Sequence, residues 1–125
     1  MGDTCSGMTC RVLIVDDHPS FRASARRLLE AEGFAVVGEA GDGAEALARA
    51  AELDPELILL DVQLPDLDGF EVARRLTAVA GAPAVVLTSS RDWSEHGGLV
   101  LDSGARGFVT KDDLSGAALC ALVAP

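Results

Sequence analysis

RVLIVDD, residues 11–17, is a short unbroken apolar run that ends in two acids. A run of that length, rich in Val and Ile and cut off by charge, reads as a strand buried on both faces. LILLD (57–61) repeats the pattern and again ends in an acid. Between them, residues 20–32 carry Phe21, Ala25, Leu28 and Leu29 on one helical face, and Gly33 is a good helix stop. Residues 34–38 form a second β-rich run. Residues 44–53 form an Ala-rich helix closed by the turn signal Asp54-Pro55. Downstream, 66–80 reads as a helix with Val72, Leu76 and Val79 inward, and 84–88 as a strand. Residues 92–103 carry a weaker helical pattern, since Gly97 and Gly98 each cost about 1 kcal/mol relative to Ala. Residues 106–110 read as a strand and 114–123 as a last helix with Leu119, Leu122 and Val123.

Strand and helix thus alternate five times with no internal linker. That order implies an α/β fold, a parallel sheet with helices on both faces. Right-handed crossovers and the length favour a flavodoxin-like, doubly wound (βα)5 sheet with strand order 2-1-3-4-5. The 125 residues fit a single domain. Residues 1–9 are small and polar and read as a disordered tail, so the domain is expected over 10–125.

Hydrophobic residues make up 49% of the chain, enough for a core; with no Tyr, four Phe and one Trp, that core must be aliphatic. The formal net charge of −10 repels nucleic-acid phosphates, which argues against direct DNA or RNA binding. Cys5, Cys10 and Cys120 are odd in number and lack metal-site spacing, so reduced thiols in a cytoplasmic protein are expected. No run approaches the ~18 apolar residues of a membrane span, and the N-terminus lacks the pattern of a secretory signal.

In sheets of this kind the active crevice lies at the carboxyl ends of the strands, near the switch point between the first and third. The residues due there are Asp16 and Asp17 after the first strand, Asp61 after the third, Thr88 after the fourth and Lys111 after the fifth. Each alone is an ordinary cap, turn former or surface charge; together they form a set. Close carboxylates repel, and a divalent cation removes the conflict. Mg²⁺ suits oxygen donors and commonly joins one or two carboxylates to a phosphate. A carboxylate is also a nucleophile toward phosphorus. Phosphoryl transfer needs positioning and charge neutralisation, which Mg²⁺, Lys111 and the Thr88 hydroxyl can supply.

Four blocks carry a specific resemblance: VLIVDDHPSFR (12–22), LILLDVQLPDLDG (57–69), VVLTSS (85–90) and GARGFVTKD (104–112). In order and spacing they resemble the signature blocks of bacterial response-regulator receiver domains, over about residues 10–123. DDHP together with GARGF and the following KD is most similar to the subfamily with a LuxR-type helix-turn-helix output domain. The resemblance implies that Asp61 accepts a phosphoryl group from a sensor histidine kinase or phosphotransfer protein. It implies Mg²⁺ held by Asp17 and Asp61, by the backbone carbonyl of Gln63, and by Asp16 through a water. Thr88 and Lys111 would bind phosphoryl oxygens, and Phe108 stands at the switch aromatic. Ser89 departs from the usual Ala or Gly, and its hydroxyl lies where it would affect access to the phosphoryl group. Pro65 and Gly69 fit the turn into the third helix. The segment 91–98, with Trp93, has no counterpart in the pattern.

The implied function is a phosphorelay switch that regulates transcription through an output domain, with homodimerisation on phosphorylation as a further implication. Two other readings use the same residues. A Mg²⁺-dependent phosphatase of the haloacid dehalogenase type needs an acid two residues after the nucleophile, where Gln63 stands here. A receiver-like interaction module without phosphorylation would have lost Asp17, Asp61 or Lys111, and all three are present.

Overall fold

The computed structural model describes residues 10–91 and 97–123. Five strands, β1 (Arg11–Val15), β2 (Ala35–Ala40), β3 (Leu57–Asp61), β4 (Ala84–Ser89) and β5 (Gly107–Thr110), form one sheet in the order β2-β1-β3-β4-β5. Every neighbouring pair is parallel. The helices are α1 (Pro19–Ala31), α2 (Gly43–Leu53), α3 (Gly69–Thr77), α4 (Gly97–Asp102) and α5 (Gly116–Val123), with a 3₁₀ turn over Lys111–Asp113. The expected fold class and strand order are therefore observed. None of the described helices is long and apolar enough to cross a membrane.

Alternation along the strands divides the core in two. Leu13, Val15, Ile58, Leu60, Val85 and Leu87 face α2, α3 and α4 through Ala46, Phe70, Val72, Ala73, Leu76 and Val100. Val12, Ile14, Leu57, Leu59, Val86 and Val109 face α1 and α5 through Ala25, Leu29 and Leu119. Both faces of each inner strand are filled with Val, Leu or Ile, which is why these strands read as unbroken apolar runs. The two cores clamp the sheet from both sides and hold its carboxyl edge rigid.

Three elements differ from expectation by more than one residue at an end. The third helix is shorter than 66–80. Asp68 caps it, its carboxylate accepting from Phe70 N at 2.7 Å, while Asp66 is drawn away to cap α2 by accepting from Gly43 N (2.7 Å) and Ala44 N (2.9 Å). Helix α3 ends at Thr77, so Val79 lies beyond it and is 61% exposed instead of inward. Helix α5 starts at Gly116, not 114, because Ser115 Oγ accepts from Ala118 N at 3.0 Å and sets the first turn. Strand β2 runs on to Ala40, whose carbonyl accepts from Asp16 N at 3.0 Å and pins the end of β1. Of the expected helix 92–103, the structure describes Gly97–Asp102; Trp93 and the rest of 92–96, like the tail 1–9, lie outside the described residues.

The loop from β3 to α3 is drawn tight against the strand end. Gly69 N donates to Val62 O at 2.8 Å. A Cβ at Gly69 would sit 2.4 Å from the carbonyl oxygen of Asp61 and 2.6 Å from Val62 Cα, both backbone atoms that cannot swing aside. Gly98 in α4 has nothing within 4 Å of such a Cβ. Gly69→Ala is therefore expected to cost at least about 2 kcal/mol in urea unfolding, whereas Gly98→Ala should be neutral or stabilise by up to about 1 kcal/mol. Equal effects of the two would contradict the close backbone approach.

Candidate functional site

The α1/α5 face ends in charge. Strand alternation carries the column Val12–Ile14 on to Asp16, the column Leu57–Leu59 on to Asp61, and Val86 on to Thr88. One step past β5 the column of Val109 reaches Lys111. Asp61 and Thr88 are register partners on β3 and β4, and Val62 N donates to Thr88 O at 2.9 Å. Asp16, Asp61 and Thr88 are all buried.

Lys111 Nζ lies 2.6 Å from Asp16 Oδ2 and 3.5 Å from Asp61 Oδ2. The contact with Asp16 is an ion pair whose angles fall outside hydrogen-bond geometry. The same ammonium sits 4.5 Å above the centroid of the Phe21 ring, a cation–π contact from α1. Asp61 Oδ1 accepts from Gln63 N at 3.1 Å. Burial pushes the Asp61 carboxyl up to about 6, helped by the nearby Asp16 charge and opposed by the Gln63 N–H and Lys111.

The Thr88 hydroxyl is buried and has no hydrogen-bond partner among the described residues. An unsatisfied buried hydroxyl costs about 1–3 kcal/mol, and beside the acids it is a donor held ready for an acceptor. Ser89 differs: its Oγ accepts from Arg91 N at 3.1 Å, so it serves the turn out of β4. Phe108 is half-buried on the other face, against the core of α2, α3 and α4. Thr88 and Phe108 thus stand on adjacent strands but on opposite sides of the sheet.

Asp17, His18, Asp16 and Asp61 each offer a donor atom, and these atoms lie within 4.8 Å of one another. The carboxylate oxygens are hard donors of the kind Mg²⁺ takes, and a divalent cation would balance charge that Lys111 alone leaves in excess. The site residues therefore fit such an ion. Gln63 reaches the site through its backbone; its side chain is on an exposed residue.

Three neighbours matter more than their sequence positions suggested. His18 N donates to Asp16 Oδ1 at 2.8 Å, and His18 Nδ1 is 3.1 Å from Asp16 Oδ1 and from Asp17 Oδ1. The Arg22 guanidinium donates to the Asp16 carbonyl oxygen and, through Nε at 3.1 Å, to Glu39. Arg26 Nε bonds the other Glu39 oxygen at 2.8 Å; these guanidinium bonds, Arg26 first, hold the Glu39 carboxyl below its usual range. Phe21 was legible as an inward helix residue but not as the platform under Lys111. Arg22, one helical turn after His18, gave only the signal of i+4 spacing.

The fold and sequence have counterparts among known proteins. The family described as the response regulator receiver domain matches residues 12–123. The transcription regulator of virulence factors BvgA from Bordetella pertussis is 42% identical over 103 residues, covering 82% of this chain and 49% of the relative. The chain thus spans about half the length of such curated relatives. Among solved structures, a LuxR-family two-component response regulator from Aurantimonas sp. SI85-9A1 matches with a TM-score of 0.80 and 35% identity, over 90% of this chain and 80% of that one. A CheX–CheY complex with BeF3 and Mg²⁺ from Borrelia burgdorferi matches with a TM-score of 0.80 and 25% identity, over 94% and 88%. The chain belongs to the response regulator receiver domain family.

The raised Asp61 pKa has a consequence for stability in the absence of divalent ions. The folded state holds this proton more tightly than the unfolded chain, so stability falls as pH rises from about 4 to about 6 and the penalty is complete above that. Asp61→Asn removes the penalty. It should stabilise the metal-free protein by on the order of 2–3 kcal/mol at pH 7.5, a gain that fades as pH falls toward 4. Urea unfolding in chelator at both pH values measures it; a gain that is absent or independent of pH contradicts the assignment.

Proposed function

Taking receiver-family membership as the premise, we propose that this domain is a phosphoacceptor switch, with Asp61 as the residue that takes the phosphoryl group. The observation that carries the reading is a pair of donors gathered beside Asp61. The Lys111 ammonium is within reach of Asp61 Oδ2, and the Thr88 hydroxyl is buried and unbonded one strand over. The Gln63 N–H donates to Asp61 Oδ1 at 3.1 Å, and the Lys111 ammonium reaches Oδ2 at 3.5 Å. In the transfer, a carboxylate oxygen of Asp61 attacks phosphorus, the phosphorus–nitrogen bond of a phospho-histidine breaks, and its electron pair returns to the imidazole. The donor is a sensor histidine kinase or phosphotransfer protein.

Asp17 and Asp61 would hold Mg²⁺ with the Gln63 backbone carbonyl, and Asp16 would act through a water. When bound, the ion supplies positive charge against the acids and the incoming phosphoryl oxygens. Lys111 must then loosen from Asp16 to reach the phosphoryl group, while Thr88 turns its hydroxyl to a phosphoryl oxygen. Both carry the event to β4 and β5, and Phe108 faces the α4 side where a changed surface is read. The chain spans about half the length of relatives such as the transcription regulator BvgA, and transcription control in the cytoplasm, with dimerisation on phosphorylation, is the function proposed for the whole protein. The domain itself turns over no outside substrate. The phosphatase reading lacks its acid, since Gln63 occupies that position.

Incubation with acetyl phosphate and Mg²⁺ followed by intact-mass measurement tests this. Wild type should gain one phosphate, Asp61→Asn none, and chelation should slow the reaction by on the order of 100-fold. Equal phosphorylation of Asp61→Asn and wild type would refute Asp61 as the acceptor.

A further inference from the structure

Phe21 lies in the first turn of α1 and packs on the α1/α5 core, in the stripe that continues through Ala25 and Leu29. Its ring also carries a charge, since the Lys111 ammonium stands 4.5 Å from the ring centroid. The Lys111 side chain is only 15% exposed. Its ammonium thus has two kinds of neighbour. Asp16 and Asp61 attract it from the sheet edge, and the aromatic face attracts it from α1.

The two kinds respond differently when the site fills. A divalent cation on the acids competes with Lys111 for their charge, and the flexible four-carbon stem then lets the ammonium swing toward water. The ring quadrupole is untouched by that competition. It holds the positive charge without offering an oxygen, so the N–H donors stay available to phosphoryl oxygens. An aliphatic side chain would fill the same space with no such attraction.

Both partners of the contact are held by their own surroundings. Pro19 opens α1, Arg22 N donates to His18 O at 3.1 Å, and the Arg22 guanidinium bonds the Asp16 carbonyl oxygen and Glu39 on β2. The first turn of α1 is therefore tied to the ends of β1 and β2. Lys111 begins the 3₁₀ turn, which Thr110 Oγ1 braces by donating to Asp113 Oδ2 at 2.9 Å.

We infer that Phe21 is a positioning residue for phosphoryl transfer: its ring keeps the Lys111 ammonium beside Asp61 when a metal ion takes over Asp16. The inference rests on the phosphoacceptor reading and deepens it by giving α1 a part in the chemistry. Phe21 touches no reacting atom and acts through Lys111.

The test compares wild type, Phe21→Leu, and proteins carrying phenylalanines of increasing ring fluorination at position 21. Fluorination nearly preserves the shape of the ring while draining its negative face step by step. In wild type the Lys111 ε-protons should resonate upfield through the ring current, both in the free protein and with beryllofluoride and Mg²⁺, which mimic an aspartyl phosphate. Phe21→Leu should lose that shift. The rate of phosphorylation by acetyl phosphate at saturating Mg²⁺ should fall about ten-fold in Phe21→Leu, and progressively along the fluorinated series. Mg²⁺ affinity and the urea midpoint should stay constant along that series. A rate that is flat along the series, even if Phe21→Leu is slow, assigns Phe21 to packing alone and overturns the inference while Asp61 remains the acceptor. An upfield shift that disappears with beryllofluoride and Mg²⁺ overturns it in the same way. Wild type that takes no phosphate overturns both.

Discussion

The Lys111 ammonium lies between two carboxylates at the end of the sheet, 2.6 Å from Asp16 and 3.5 Å from Asp61, with the Phe21 ring beneath it. Buried charge is tolerated only when it is paired, and here one cation serves two buried acids while Asp17 stands close by. The imbalance shows in Asp61, whose carboxyl is pushed up to about 6. It gives the site a standing demand for positive charge, and that demand explains why a metal fits. Under the proposed function, an ion that relieves Asp16 of its need for the ammonium would free Lys111 to meet a phosphoryl group.

Such a cluster persists only on a rigid base. Asp16, Asp61 and Thr88 are successors, on the α1/α5 face, of residues locked in the apolar core. A slip of one residue in any strand would turn its polar group to the other face. The register is held by four parallel pairings and by bonds just past the strand ends, Asp16 N to Ala40 O and Val62 N to Thr88 O. Gly69 lets the β3–α3 loop fold directly onto Asp61 and Val62. Asp66 ties that same loop to the start of α2. Stability and chemistry therefore share residues: the buried aliphatic strands specify where the charges meet, and the charges withdraw part of the stability that burial provides.

Much of this was legible from the chain because its strands are fully buried and end abruptly in acids. LILLD coincides with β3, and the alternation of elements was enough for the strand order. The α3 boundary was not legible, because Val72, Leu76 and Val79 fit one helical period while Asp66 bonds across to α2, a contact 22–23 residues away in sequence. The acids, Thr88 and Lys111 were identified by position at strand ends. Their pairing was not, since the ion pair of Lys111 with Asp16 depends on side-chain reach across β4 and β3. His18 was passed over because in sequence it is one letter of a turn; only the distances from its ring to Asp16 and Asp17 distinguish it from an ordinary surface histidine. Ser89 stood at a site position by sequence, but its hydroxyl is engaged by Arg91 N.

The central claim is that the converging acids leave the folded state short of positive charge that a divalent cation supplies. Urea unfolding of the wild-type domain at pH 7.5 over a series of Mg²⁺ concentrations tests it most directly. The account predicts that the unfolding free energy rises with Mg²⁺, approaching about 1.4 kcal/mol per tenfold increase once the site is mostly filled, with the urea slope unchanged. It also predicts that the rise is lost in Asp17→Ala. An unfolding free energy that stays flat in wild type up to millimolar Mg²⁺, or that rises equally in Asp17→Ala, would contradict it.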